Sequence, residues 1–442
     1  MRSGSAAVWG AVLVIGALAF WAGRASAQAT PPSLENPAAT PAAPTPGPGD
    51  APAADGPPQA APSGDRPAPL EPERPATAEL PTAASPAPAE EAAAPAPAPQ
   101  PAPAAPASLS VMTRPGAYGA AQKIAVLDPF EAATPSVSLI AQTYDGSYAA
   151  LRDLIADGKA GDVVDLGSNL ARMACDEGLL EPIDAAAVLG ADALDDFIPE
   201  AVKPCGIGSA VWSAVVVYNR SVFARRAPAS VKDLFDLKAF PGKRALPSGP
   251  KYLLEAAMLA DGVEPSSVYA ALSTPDGVAK AFKRLDQIKS AIVWWDKPSA
   301  GVARVGKGEA AMGLAFNGRL FEAAAANRQP IAAVWDGHIY DVNYWAALKG
   351  GSQTRVALDF IRFAAAPERM AAQARLTAYG PTRRSAVAQV GAHPQLGVTM
   401  TPHLPTAPDN FKRAVAVDEA WWAANGPEMQ ARFDAWRAGT SP

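Results

Sequence analysis

The 442-residue sequence is poor in the residues on which metal and redox chemistry rest, with two cysteines and three histidines. His338, His393 and His403 form no HExxH or other close ligand pair, so no histidine-held metal and no cofactor are expected. A surplus of positive charge is also missing. The formal net charge is −5, and residues 28–108 carry nine acids against two arginines, which leaves residues 109–442 formally neutral. A neutral body without a basic stripe gives no reason to expect a nucleic-acid partner. Aromatic residues are absent between Gln28 and Ser108, where 24 of the 46 prolines stand among Ala, Glu and Asp. Such a segment cannot bury enough apolar surface to offset its ordering entropy. The composition therefore predicts a disordered tether over 28–108, extended where proline imposes polyproline II geometry at about 3.1 Å per residue.

Ahead of the tether, residues 1–27 run from Arg2 through an apolar stretch, Ala6 to Gly23, to Ala25-Ser26-Ala27. That is the layout of a secretory signal peptide with a small-x-small cleavage site, and it places the chain in the periplasm. An uncleaved anchor is the other reading, because about eighteen apolar residues approach the length that spans a bilayer. No cysteine lies nearby, which excludes a lipid-modified cysteine. In an oxidising compartment the even pair Cys175 and Cys205 favours a disulfide over two buried thiols.

From Leu109 onward strand and helix patterns alternate, which predicts an α/β fold. "SLSVMTR" and "VSLIAQTYDG" read as strands, "YAALRDLIA" as a helix, "DVVDLGSN" as a short buried strand and "AVWSAVVVYN" as a long one. Helix starts are expected behind Ser230, at Ser248 or Gly249 before Pro250, and at Thr274-Pro275. Several strands end on polar residues: Ser168-Asn169, Ser248-Gly249, Trp294-Trp295-Asp296 and Asn317-Gly318-Arg319. In open α/β sheets ligands bind outside the carboxyl ends of strands, so a cleft is implied. The glycine-rich "VGKGEAAMGLAFNGR" is no phosphate loop, because Gly306-Lys307-Gly308 is followed by Glu309 and an apolar strand rather than by Ser/Thr and a helix.

The stretches "YDGSYAALRDLIADGKAGDVVDLGSN", "VWSAVVVYN", "SVKDLFDLKAFPGKRAL", "GEAAMGLAFNGR" and "DFIRFAAAPERMAAQARLTAYGPTRRSAV", in that order, resemble the extracellular solute-binding proteins of ABC importers, in the branch that includes spermidine and putrescine binders. The resemblance implies a two-lobed periplasmic-binding-protein fold, type II-like, with one ligand in the cleft between lobes. Lobe one is expected at 109–215 plus 317–368 and lobe two at 216–316 plus 369–442. The implied partners are a small-molecule solute and the transmembrane subunits of an ABC permease, with the protein a monomer and not an enzyme. It implies cleft positions at Tyr118, Trp212-Ser213, Phe316-Asn317-Gly318, Trp345 and Tyr379, to which the strand ends add Ser168, Ser248 and Trp295.

At the positions where polyamine binders of this family clamp ammonium groups with carboxylates, this sequence has Gly249, Tyr252, Arg319 and Asn343. A bare polyamine would be left without partners at a cost of several kcal/mol. Arg319 suits a carboxylate or phosphonate through its bidentate fork, while Asp341, Asp296 or Asp165 could meet an amine. A small zwitterionic or polyamine-like solute is the expectation. Two other classes stand beside it. Ser248-Gly249-Pro250-Lys251 has the Ser-x-x-Lys spacing of a serine hydrolase, without the companion motifs, and the acidic tether would suit an envelope-tethered interaction protein.

Overall fold

The structure is a computed structural model that describes residues 107–440, so the expected signal segment and nearly all of the tether lie outside the described residues. Strands β1 (Ala107–Thr113), β2 (Val137–Thr143) and β3 (Val163–Gly167) run parallel. The two-residue β4 (Val202–Lys203) leads into the long β5 (Gly206–Asn219). Strands β6 (Arg244–Pro247), β7 (Ile292–Trp295) and β8 (Met312–Phe316) form a second parallel set. The 17-residue β9 (Ile331–Ala347) follows, and a short β10 (Val415–Ala416) pairs with it. The sheet order is β2-β1-β3-β9-β5-β8-β6-β7.

Strands β5 and β9 are long because each serves both lobes. The start of β9 pairs with the end of β5, Ile331 opposite Asn219, while Asn343–Ala347 pairs with β3. On one side of this crossing a core gathers Leu109, Val163, Leu166, Trp345 and Phe360. On the other, Leu234, Leu253, Leu259 and Phe433 fill one face of the second sheet half, and Val215, Val305 and Ala315 fill the opposite face. The result is the two-lobed α/β fold of a periplasmic binding protein.

The lobe boundaries differ from those expected. Leu320, Ala323 and Ile331 pack into a lobe-two core while Phe321 between them packs into lobe one, so residues 317–331 straddle the crossing and the chain enters lobe one fully only along β9, past Ile339. Met370, Ala374, Val387, Met400 and Leu404 pack into lobe one, and only with β10 and the helix Glu419–Ala438 does the chain rejoin lobe two. The apolar residues of this stretch mark what is buried but not which core receives it.

Local signals fare better. Thr274 caps its helix by accepting from the Gly277 N–H at 3.0 Å, and Ser230 forms a capping box with Asp233 on a short 3-10 turn. The helix Leu253–Ala260 starts instead behind Tyr252, whose φ of 71° is left-handed. Gly306-Lys307-Gly308 closes the helix Pro298–Gly306, with Gly308 at φ 78° supplying the left-handed residue of a helix C-terminus. Cys175 and Cys205 are joined, Cα to Cα 5.8 Å, tying the end of the helix Ser168–Asp176 to the turn before β5.

Candidate functional site

The floor of the cleft is the crossing itself. Trp212 on β5 stands opposite Asp341 on β9, and Asn343 follows two residues on, so strand alternation puts these three on one face. The Trp212 indole N–H donates to Asn343 Oδ1 at 3.2 Å. From lobe two, Phe316 at the end of β8 and Tyr252 bring their rings edge-on to Trp212, at 5.2 and 6.1 Å between centroids. Their own separation is 5.6 Å. Trp295 lies behind, 5.9 Å from Phe316 and 5% exposed.

Lobe one supplies a cation. Arg114 follows β1, and its guanidinium crosses Gly146, beyond β2, and Gly167, the last residue of β3. A Cβ at those glycines would stand 3.3 Å from its Nε and 3.1 Å from its Nη2. Nε has no hydrogen-bond partner. Burial works against the charge, but Asp165 and the Tyr118, Tyr144 and Tyr379 hydroxyls hold the pKa above its usual value. Asp165 is already saturated. It is fully buried and accepts from the Tyr118 hydroxyl (2.9 Å), Gln122 Nε2 (2.9 Å), Ser209 Oγ (2.7 Å) and Asn343 Nδ2 (3.2 Å). Its carboxylate orients Tyr118 and Asn343.

At the far end of the floor three charged groups meet a hydroxyl. Lys251 Nζ and Ser168 Oγ both donate to Glu419 Oε1, at 2.6 and 2.9 Å, so lobe one reaches lobe two through Ser168. Asp341 is 6% exposed, and burial together with the nearby Glu419 carboxylate pushes its pKa up to about 6.

Of the residues singled out in the sequence, Tyr118, Ser168, Trp212, Tyr252, Asp341, Asn343 and Tyr379 gather around this floor, with Tyr118 and Tyr379 edge to face at 5.2 Å. Gly318 lets Tyr379 approach, since a Cβ there would come within 2.7 Å of its ring. Ser248 donates to the Trp295 carbonyl at 3.1 Å, and both line a cavity of about 590 Å³ in lobe two. Arg319 sits at the rim, its side chain 58% exposed and paired with Glu322 at 3.1 Å.

Three residues fall elsewhere. Trp345 is 1% exposed and packs on Phe360 in the lobe-one core. Ser213 points to the face opposite Trp212, where its hydroxyl meets His338 Nδ1 at 2.9 Å. Asn317 accepts from the Ser213 N–H (2.8 Å) and donates to the Ala378 carbonyl (2.6 Å), bolting three segments together. Asn317→Ala should therefore lower stability by on the order of 2–4 kcal/mol, two buried groups losing partners. Thermal unfolding would show this, with relative solute preference unchanged. The Ser-x-x-Lys reading fails on geometry: Ser248 is bonded to a carbonyl and Lys251 to Glu419, not to each other. Arg114, absent from the expected set, lies at a strand end like Ser168, which marks its place but not what surrounds it.

Residues 125–406 match the family described as bacterial extracellular solute-binding protein. The chain is 39% identical over 334 residues to a gamma-aminobutyric acid (GABA)-binding protein of Pseudomonas aeruginosa, spanning 75% of this chain and 91% of that one. Among solved structures it resembles an ABC transporter substrate-binding protein from Bradyrhizobium japonicum, at 28% identity and TM-score 0.64 over 75% of this chain and 99% of that one. A GABA receptor is similar at 27% identity and TM-score 0.60, over 76% of this chain and 99% of its own.

Proposed function

We propose, since the chain belongs to the bacterial extracellular solute-binding proteins, that it is the ABC-importer receptor for a small ω-amino acid, with carboxylate on Arg114 and ammonium against Asp341. The observation that carries this reading is Arg114, a half-buried guanidinium at the meeting of three strand ends whose one acidic neighbour is already saturated. A planar fork in that position recognises a carboxylate. The rings of Trp212, Tyr252 and Phe316 enclose the alkyl chain, and a cation near such faces gains about 0.5–2 kcal/mol. The GABA specificity named for the 39% identical relative supports the same class. Arg319, exposed and paired, takes a place at the rim rather than at the carboxylate. A polyamine is disfavoured twice, by the missing clamp acids and by the cation of Arg114. The mechanism is capture: solute binds one lobe, the other closes over it, and the closed shape is offered by a monomer to the permease. Export by residues 1–27 and tethering by the segment after them complete the reading.

Titration of the full chain with ω-amino acids, α-amino acids and spermidine, followed by tryptophan fluorescence, should give a saturable response to ω-amino acids. Saturation by spermidine, with no response to any amino acid, would overturn the assignment.

A pH dependence follows from Asp341. Its folded-state pKa, about 6, stands above the ordinary carboxylate value of about 3.9. The folded chain holds a proton that the unfolded chain has lost, so stability declines as pH rises between these values and is level above them. Ionisation in the same interval creates the partner for an ammonium. Affinity for an ω-amino acid should therefore rise from about pH 5 to about pH 7, and Asp341→Asn should flatten the rise in a series of binding isotherms.

A further inference from the structure

Tyr252 is one of only two non-glycine residues with positive φ among the described residues, and it is the one at the cleft. A left-handed backbone is unfavourable for a bulky side chain, and such outliers persist where the surroundings hold them. Here the surroundings are specific. The Tyr252 ring is edge-on to both Trp212 and Phe316, and Lys251 Nζ, fixed on Glu419, stands 5.6 Å over it. Tyr252 and Phe316 also line the cavity of about 590 Å³ whose other walls include Ser248, Trp295 and Gln430, whereas Trp212 does not. The two rings are thus a partition, with the cleft floor on one side and an unused space in lobe two on the other.

We propose that Tyr252 is the length gauge of the cleft: its ring, set by the left-handed backbone, stops a ligand seated over Trp212 from extending into the lobe-two cavity, and so restricts the receptor to short chains. This rests on the ω-amino-acid reading and adds the chain length to it. Phe316, the last residue of β8, meets the cavity beside Trp295. The Tyr252 ring meets both Phe316 and the Lys251 ammonium, each at 5.6 Å.

The test uses Tyr252→Gly, which suits the left-handed backbone and so keeps the fold while removing the ring. Calorimetric titrations of the full chain with 4-aminobutyrate, 5-aminovalerate and 6-aminohexanoate give a ratio of affinities for each protein. The unaltered chain should favour the shortest. The glycine variant should shift the ratio of six-carbon to four-carbon affinity by at least about tenfold, the low end of what one methylene contributes to discrimination in an apolar pocket. Tyr252→Phe, which keeps the ring, should keep the original ratio whatever its absolute affinity. If the unaltered chain favours 4-aminobutyrate and the glycine variant shares that ratio, the gauge is refuted while the ω-amino-acid reading stands. If the unaltered chain binds none of the three, both fall.

Discussion

Arg114→Ala should raise the dissociation constant for an ω-amino acid by about thirtyfold or more, equivalent to at least about 2 kcal/mol, the loss expected when one member of a desolvated charge pair is removed. The expectation comes from the placement of the guanidinium. Arg114 lies across Gly146 and Gly167, so it is held by the shape of three strand ends rather than by an ion pair within the protein. Asp165 would lose a counter-charge in this variant but would keep four hydrogen-bond donors, so the lobe should still fold, and a thermal scan would confirm it. Arg114→Lys should recover only part of the affinity, because an ammonium keeps the charge and loses the planar fork. Arg319→Ala is the contrasting variant. Its side chain is 58% exposed and its carboxylate partner is three residues away on the same helical turn, so its removal should change affinity by a few-fold at most. Loss of binding in the Arg319 variant with retention in the Arg114 variant would exchange their roles and move the solute outward to the rim.

The second large effect belongs to the disulfide. Cys175 and Cys205 are 30 residues apart, and closing a loop of that size removes about 3–4 kcal/mol of denatured-state entropy in the chain-entropy model. Replacing both with serine should cost stability of that order, visible as a lower unfolding midpoint and a lower denaturant concentration at half-unfolding. The bridge anchors the helix whose first residue is Ser168, so the variant should also loosen the contact to Glu419. An unchanged midpoint in the double serine variant would show that the loop is held by packing alone.

What could be read in the sequence divides along a physical line. Elements set by local patterning were legible: the apolar run that became β8, the capped start at Thr274, the long crossing strand around Trp212. Face assignments were harder. Trp212 and Ser213 are neighbours on one strand and necessarily point to opposite faces, so only one of them could line the cleft. Asp341, Asn343 and Trp345 share a face, yet the strand runs from the hinge into lobe one, and its last aromatic passes under Phe360. Where a strand leaves one core for another depends on partners far away in the chain, which is why β9 crosses later than expected. Arg114 went unnoticed for a related reason. Nothing in Thr113-Arg114-Pro115-Gly116 shows that Gly167 at the end of β3 and Gly146 beyond β2 come to lie beside it.

The Lys251–Glu419–Ser168 contact has a consequence for how long a solute is retained. Lys251 and Glu419 both belong to lobe two, so when the lobes part their ion pair travels intact, and only the Ser168 hydroxyl is returned to water. The protein's own charge at that seam therefore adds a single hydrogen bond to a carboxylate as resistance to opening, about 1.5–3 kcal/mol net of the water that replaces it. An ion pair drawn across the seam would have had to be broken at every opening. With the charges kept on one side, the proposed capture leaves dwell time mainly to the solute, and a permease separating the lobes would work against the cargo more than against the receptor.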